Sequence, residues 1–78
     1  MQIYSVMLEG VDASMGFFMN VEVAAPDSTD AAKLARTRAR ELGLRIVGVE
    51  EIKKTRRTSS SGAGVLSMSG KSYFPPKK

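Results

Sequence analysis

PDSTDAAKLARTRARELG, residues 26–43, reads as a helix with a start, a face and a stop. Asp27 or Ser28 can cap its N-terminus, because a short side-chain oxygen there accepts a free backbone N–H of the first turn. Asp30, three residues after Asp27, completes a shortened capping box. Pro26 keeps the residue before it extended. Gly43 ends the helix, since glycine takes the left-handed conformation just past a helix end without strain. Ala31, Leu34, Ala35, Ala39 and Leu42 recur at steps of three and four and form one apolar stripe. Lys33, Arg36, Arg40 and Glu41 lie on the other side, with Arg38 near the edge. Acids come early and bases late, as the helix dipole favours. A stripe this rich in alanine lets the helix lie close to a sheet.

Strands surround this helix. Ile3 to Glu9 alternates, with Tyr4, Val6 and Leu8 on one face and Ile3, Ser5, Met7 and Glu9 on the other. Gly10 to Gly16, with glycines at both ends, reads as a hairpin connection. Phe17 to Ala25 is the strongest strand; Phe17, Met19, Val21 and Val23 share the uniformly apolar face, which is assigned to the helix. Leu44 to Ile52 is a third strand, with Gly48 at a point where backbone or helix could come close. Residues 53–64, KKTRRTSSSGAG, are basic and rich in Ser and Gly, so a flexible loop is expected there. Val65 to Met68 can add a strand, and Tyr73-Phe74-Pro75-Pro76 is an aromatic pair ahead of a stiff tail. The expected fold class is α+β: a small β-β-α-β(-β) sheet with one helix on one face and a flexible basic C-terminal segment. Residues 1–52 form the domain, 53–64 the loop and 65–78 a last strand or tail. The helix links its two flanking strands by a right-handed crossover if they run parallel. The second sheet face, bearing Ile3, Met7 and Phe18, has no expected cover.

At 78 residues the chain is one domain with a thin stability margin. It has no Cys, His or Trp, which removes disulfide and thiolate chemistry and most general-base chemistry. The N-terminal residues lack the pattern of a secretory signal, and no apolar run reaches the length of a membrane span. A soluble, cytoplasmic protein with no membrane partner is expected. The net charge of +4 is unevenly spread: residues 1–52 carry five bases and eight acids, residues 53–78 seven bases and no acid. An acidic body with a basic extension is the simplest reading, and the extension is where an electrostatic partner would be felt.

No motif amounts to a reaction. Gly70-Lys71-Ser72 resembles the end of a phosphate-binding loop, but five residues separate Gly64 from Gly70 where the motif needs four. Tyr73-Phe74-Pro75-Pro76 also follows where a helix should begin. Glu50 and Glu51 are strand neighbours that point to opposite faces, and Asp27 and Asp30 serve the helix start. Ser59-Ser60-Ser61 has no histidine to act as base. No metal or cofactor is expected, and the chain is expected not to be an enzyme.

The stretches LEG (Leu8 to Gly10), GFF (Gly16 to Phe18) and VEVAAPDSTDAAKLA (Val21 to Ala35) resemble a group of short bacterial proteins of unassigned function. There a first strand ends in LEG, a second opens with G-F-[FY], an acidic turn enters an Ala-rich helix, and an aromatic-Pro element closes the chain. The resemblance covers about half of this sequence and implies the strand order and a bacterial or mobile-element origin. It implies no activity. This chain departs from the pattern in its short first hairpin loop and its basic C-terminal part.

The sequence therefore points to a small protein-binding module, an inhibitor of the immunity, antitoxin or anti-defence type that occludes a partner protein. Its expected contacts are Ile3, Met7 and Phe18 on the open face with Lys53, Lys54, Arg56, Arg57, Tyr73 and Phe74. A nucleic-acid-binding accessory is the alternative, using the same basic segment together with Lys33, Arg36 and Arg40 of the helix. A structural homodimer is the third reading.

Overall fold

The computed structural model describes residues 1–60 and 62–74. The order along the chain is β1 (Gln2–Asp12), β2 (Met15–Ala25), α1 (Ser28–Glu41), β3 (Arg45–Thr58), β4 (Gly64–Met68) and β5 (Ser72–Phe74). All five strands join one antiparallel sheet in the order β3-β1-β2-β4, with β5 also on β2. The fold is α+β, as expected. β2 and β3 each run antiparallel to β1, so they are parallel to each other, and α1 carries the chain between them across β1.

The helix is built as its sequence reads. Asp27 is the cap, and its Oδ1 accepts from the Asp30 N–H at 2.9 Å. At the other end Leu44 N–H donates to Ala39 O at 3.0 Å and Gly43 N–H to Arg40 O at 2.9 Å. Gly43 has φ +79°. These two bonds and the left-handed glycine make a Schellman stop. Ala31, Ala35 and Ala39 are fully buried, so the helix rests on its alanines. Leu42, expected in the buried stripe, is instead the C-cap and 52% exposed. The helical turn has ended there, which carries its side chain off the stripe.

The core lies between α1 and one sheet face. Tyr4, Val6 and Leu8 of β1 meet Phe17, Met19, Val21 and Val23 of β2 in one cluster with the three alanines. Leu34, Leu44, Ile46, Val49, Ile52, Val65 and Met68 close its margins. Both strands outrun their expected ends. They pair from Gln2↔Ala25 to Asp12↔Met15, so only Ala13 and Ser14 turn the hairpin. Ala13 takes φ 55°, a left-handed value costly for a residue with a Cβ.

The expected flexible loop at 53–64 is corrected by β3, which continues to Thr58. β1 is long enough to require a partner for its N-terminal backbone groups, and residues 53–58 supply it. Side chains reinforce the pairing. The Thr55 hydroxyl donates to Ile3 O at 2.8 Å, and Gln2 Nε2 donates to Thr55 O at 2.6 Å. Met1 and Ser59 exchange two further bonds, at 2.7 and 2.8 Å. Ser61 and residues 75–78, including the expected stiff tail, lie outside the described residues.

Two glycines are set by close packing. A Cβ on Gly10 would stand 2.3 Å from the Phe17 ring and 2.7 Å from Arg45 O; one on Gly16 would stand 2.3 Å from the Phe74 ring. Gly48, where a close approach was expected, has nothing within 4 Å of such a Cβ. It sits instead between two register shifts of the β1–β3 ladder, which bend the strand.

Candidate functional site

The sheet face away from α1 carries some of the residues that the sequence marked as contacts, but not all of them. Met7 and Phe18 are half-buried on adjoining strands. β5 adds Phe74, whose ring stacks on Phe18 with centroids 4.7 Å apart and planes inclined by 27°. β5 therefore extends the sheet at one end, and its Phe74 covers part of Phe18; this element falls in the stretch expected as a last strand or tail. Phe74 stands opposite Gly16 in the ladder, and that glycine's missing side chain is the space the ring fills. Beside the stack is a shallow depression of about 240 Å³, bordered by Met7, Phe18, Asn20, Ser69, Gly70 and Ser72. Ser69 fixes its rim: its Oγ accepts from Asn20 N–H at 2.9 Å and its N–H donates to Asn20 O at 2.8 Å.

Ile3 is corrected as a contact residue, being only 5% exposed. Arg57 Nη2 donates to Glu22 Oε2 in an ion pair. β1 lies between the strands that hold these two groups, so the pair straddles it and closes over the Ile3 end of the face. Lys53 makes a long ion pair with Glu51 at 3.9 Å. Lys53 stands opposite Ser5 and belongs to the open face, whereas Lys54 stands opposite Tyr4 and belongs to the helix side. Lys54 and Arg56 have no ion-pair partner among the described residues, nor do Lys33, Arg36 and Arg40 on the exposed side of α1. Glu41, on the exposed side of α1, pairs with Arg38 at 3.5 Å.

One constellation had no signal in the sequence. Tyr73 points to the helix side of the sheet edge, with its ring edge-on to Phe17 at 6.0 Å. Its hydroxyl donates to Asp12 Oδ2 at 2.7 Å, and Lys71 Nζ donates to the same oxygen at 3.0 Å. Lys71 Nζ also lies 5.1 Å from the centre of the Phe17 ring. The Tyr73 and Lys71 bonds hold the Asp12 carboxyl below the usual carboxylate range, and the same bonds to Asp12 raise both Tyr73 and Lys71. This clasp ties β5 to the tip of the first hairpin, residues 59 to 61 positions apart in the chain. Only strand pairing brings them together, so spacing could not reveal it. Lys71 thereby serves a carboxylate, and a strand, not a helix, follows Gly70-Lys71-Ser72.

A second concavity of about 500 Å³ runs between α1 and β4, bordered by Leu34, Thr37, Arg38, Val65, Leu66 and Met68. Among the described residues no three His, Cys, Asp or Glu side chains gather as a metal site, and no helix is long and apolar enough to cross a membrane. No protein-family model, no curated protein and no solved structure matches the chain.

Proposed function

We propose that the protein is a small non-enzymatic binding module, an inhibitor of the immunity, antitoxin or anti-defence kind, that occludes a partner protein with its open sheet face. The observation that carries this reading is the Phe18–Phe74 stack beside Met7 on a face that has no second layer among the described residues. Aromatic and methionine side chains are the usual anchors of a protein interface. Here they sit on a rigid sheet, with the depression at Asn20 and Ser69 able to receive one protruding side chain. Lys53 on the same face suits a partner with a carboxylate beside its apolar protrusion.

Nucleic-acid binding fits the placement less well. Phe74 is already stacked on Phe18 and the Tyr73 hydroxyl is bound to Asp12, so neither ring is poised to receive a base. The unpaired bases of α1 lie on the other side of the sheet from Phe74.

Capture from nuclease-treated extract of the native host separates the two. The full chain is compared with a Met7→Glu/Phe18→Glu variant and a Lys33→Glu/Arg36→Glu/Arg40→Glu variant. A discrete protein retained by the full chain and the helix variant, and lost with the face variant, is the expected result. Recovery of nucleic acid in untreated extract, lost with the helix variant and with salt, would replace the proposal by the alternative.

A further inference from the structure

We propose that β3 pairs edge to edge, antiparallel, with β3 of a second copy of this chain, about a two-fold axis at Ile52. β3 is the outermost strand, and its only strand partner among the described residues is β1, so its other backbone edge is open. Such an edge is a template for another strand.

The occupant is read from the charges. Residues 50–54 are Glu-Glu-Ile-Lys-Lys, which reverses sign about Ile52. In antiparallel pairing, directly opposite residues share a sheet face. A two-fold axis at Ile52 therefore sets Glu51 against the partner's Lys53 and brings Glu50, at the register shift, toward the partner's Lys54, and symmetry repeats both. Neighbouring registers fail. An axis at 50 or 51 sets a glutamate against its own copy, and an axis at 53 or 54 does the same with a lysine. An axis at 55 sets Lys53 and Lys54 against the partner's Arg57 and the partner's Arg56. Among the axes from 50 to 55, the charges thus favour Ile52 and oppose the others.

The backbone agrees with this choice. From Glu51 to Lys54, β3 keeps an unbroken register with Met7, Val6, Ser5 and Tyr4, and its shifts fall on either side. The straight part of the edge therefore holds Glu51, Ile52, Lys53 and Lys54, while Glu50 falls at the shift between Met7 and Leu8. All four charged side chains are exposed. The long Glu51–Lys53 contact within one strand is the local form of the pair that the second copy would complete. An axis perpendicular to the sheet leaves both helices on one side and both Phe18–Phe74 faces on the other. The dimer would be two-headed toward a partner.

The test is sedimentation equilibrium of the full chain. A dimer that weakens with added salt is expected; a monomer at sub-millimolar concentration and low salt overturns the proposal. Glu50→Lys/Glu51→Lys and Lys53→Glu/Lys54→Glu variants should each self-associate at least roughly tenfold more weakly, because like charges then face each other. Mixed in equal amounts they should form a dimer of one chain of each kind. A mixture that stays monomeric, or a dimer unaffected by either variant, overturns it. On the unmodified chain, isotope-filtered contacts between the Glu51 backbone and the partner's Lys53 backbone are expected, and a dimer without them overturns it as well.

Discussion

Phe17 and Phe18 are adjacent in the chain and live in different environments. Phe17 is fully buried under α1; Phe18 is half-buried on the open face, against Phe74. Strand geometry alone separates them, since successive side chains point to opposite faces. The helix face holds the fold through area removed from water, and the open face leaves Met7 and Phe18 half-buried, where the proposed partner would reach them. On the proposed function, hydrophobic residues in a sheet covered by a helix on one face have two separate jobs.

The largest test of this contrast is truncation at the two positions. Phe17→Ala should cost about 3–5 kcal/mol in urea unfolding, a large part of the stability of so small a domain. Phe18→Ala should cost about 1–2 kcal/mol, mostly the lost stack on Phe74. Equal losses would mean that the open face is structural. Glycine substitutions sharpen the same comparison. Gly10→Ala drives a Cβ toward both the Phe17 ring and the Arg45 carbonyl, which is backbone, so a cost of about 1–3 kcal/mol is expected. Gly16→Ala drives a Cβ into the Phe74 ring, a side chain that can swing outward, so the cost should not exceed that of the lost stack, about 1–2 kcal/mol, and the Phe18–Phe74 ring contacts should disappear from NMR spectra.

How much of this was legible follows from which constraints are local. The cap at Asp27, the stop at Gly43 and the alternation of Tyr4, Val6 and Leu8 are written in neighbouring residues, and the structure has them as read. Residues 53–58 were not legible. Their composition is that of a solvated loop, and only the length of β1 makes them a strand. The separation into an acidic body and a basic extension also dissolves on folding. Lys53, Arg57 and Lys71 each pair with an acid, and two of those acids, Glu22 and Asp12, come from the first hairpin. Of the candidate contacts, Met7, Phe18 and Phe74 were brought together, Ile3 was closed over, and Tyr73 was turned to the other face.

Two smaller effects concern the hairpin tip, where the faces share an end. Ala13→Gly should raise stability by up to about 1 kcal/mol, because glycine accepts the left-handed φ without a Cβ penalty. The clasp on Asp12 should loosen at both extremes of pH. Asp12 is lowered in the folded state, so its contribution is complete above the ordinary carboxylate range and is lost as pH falls through its lowered value. Tyr73 and Lys71 are raised, so theirs is complete below the ordinary tyrosine range and is lost as pH rises through their raised values. Ring-proton shifts of Phe17 should report both steps, and Asp12→Asn should remove the acidic one.

The central place of β1 has a consequence for synthesis. Its pairing with β2 needs only a two-residue turn, but pairing on its other edge must wait for residues 45–58. For that interval the hairpin carries an unpaired inner edge and an uncovered core face, the features that lead nascent chains to associate wrongly. The alanine helix emerges between the two events and can cover the core face before the last inner edge is sealed.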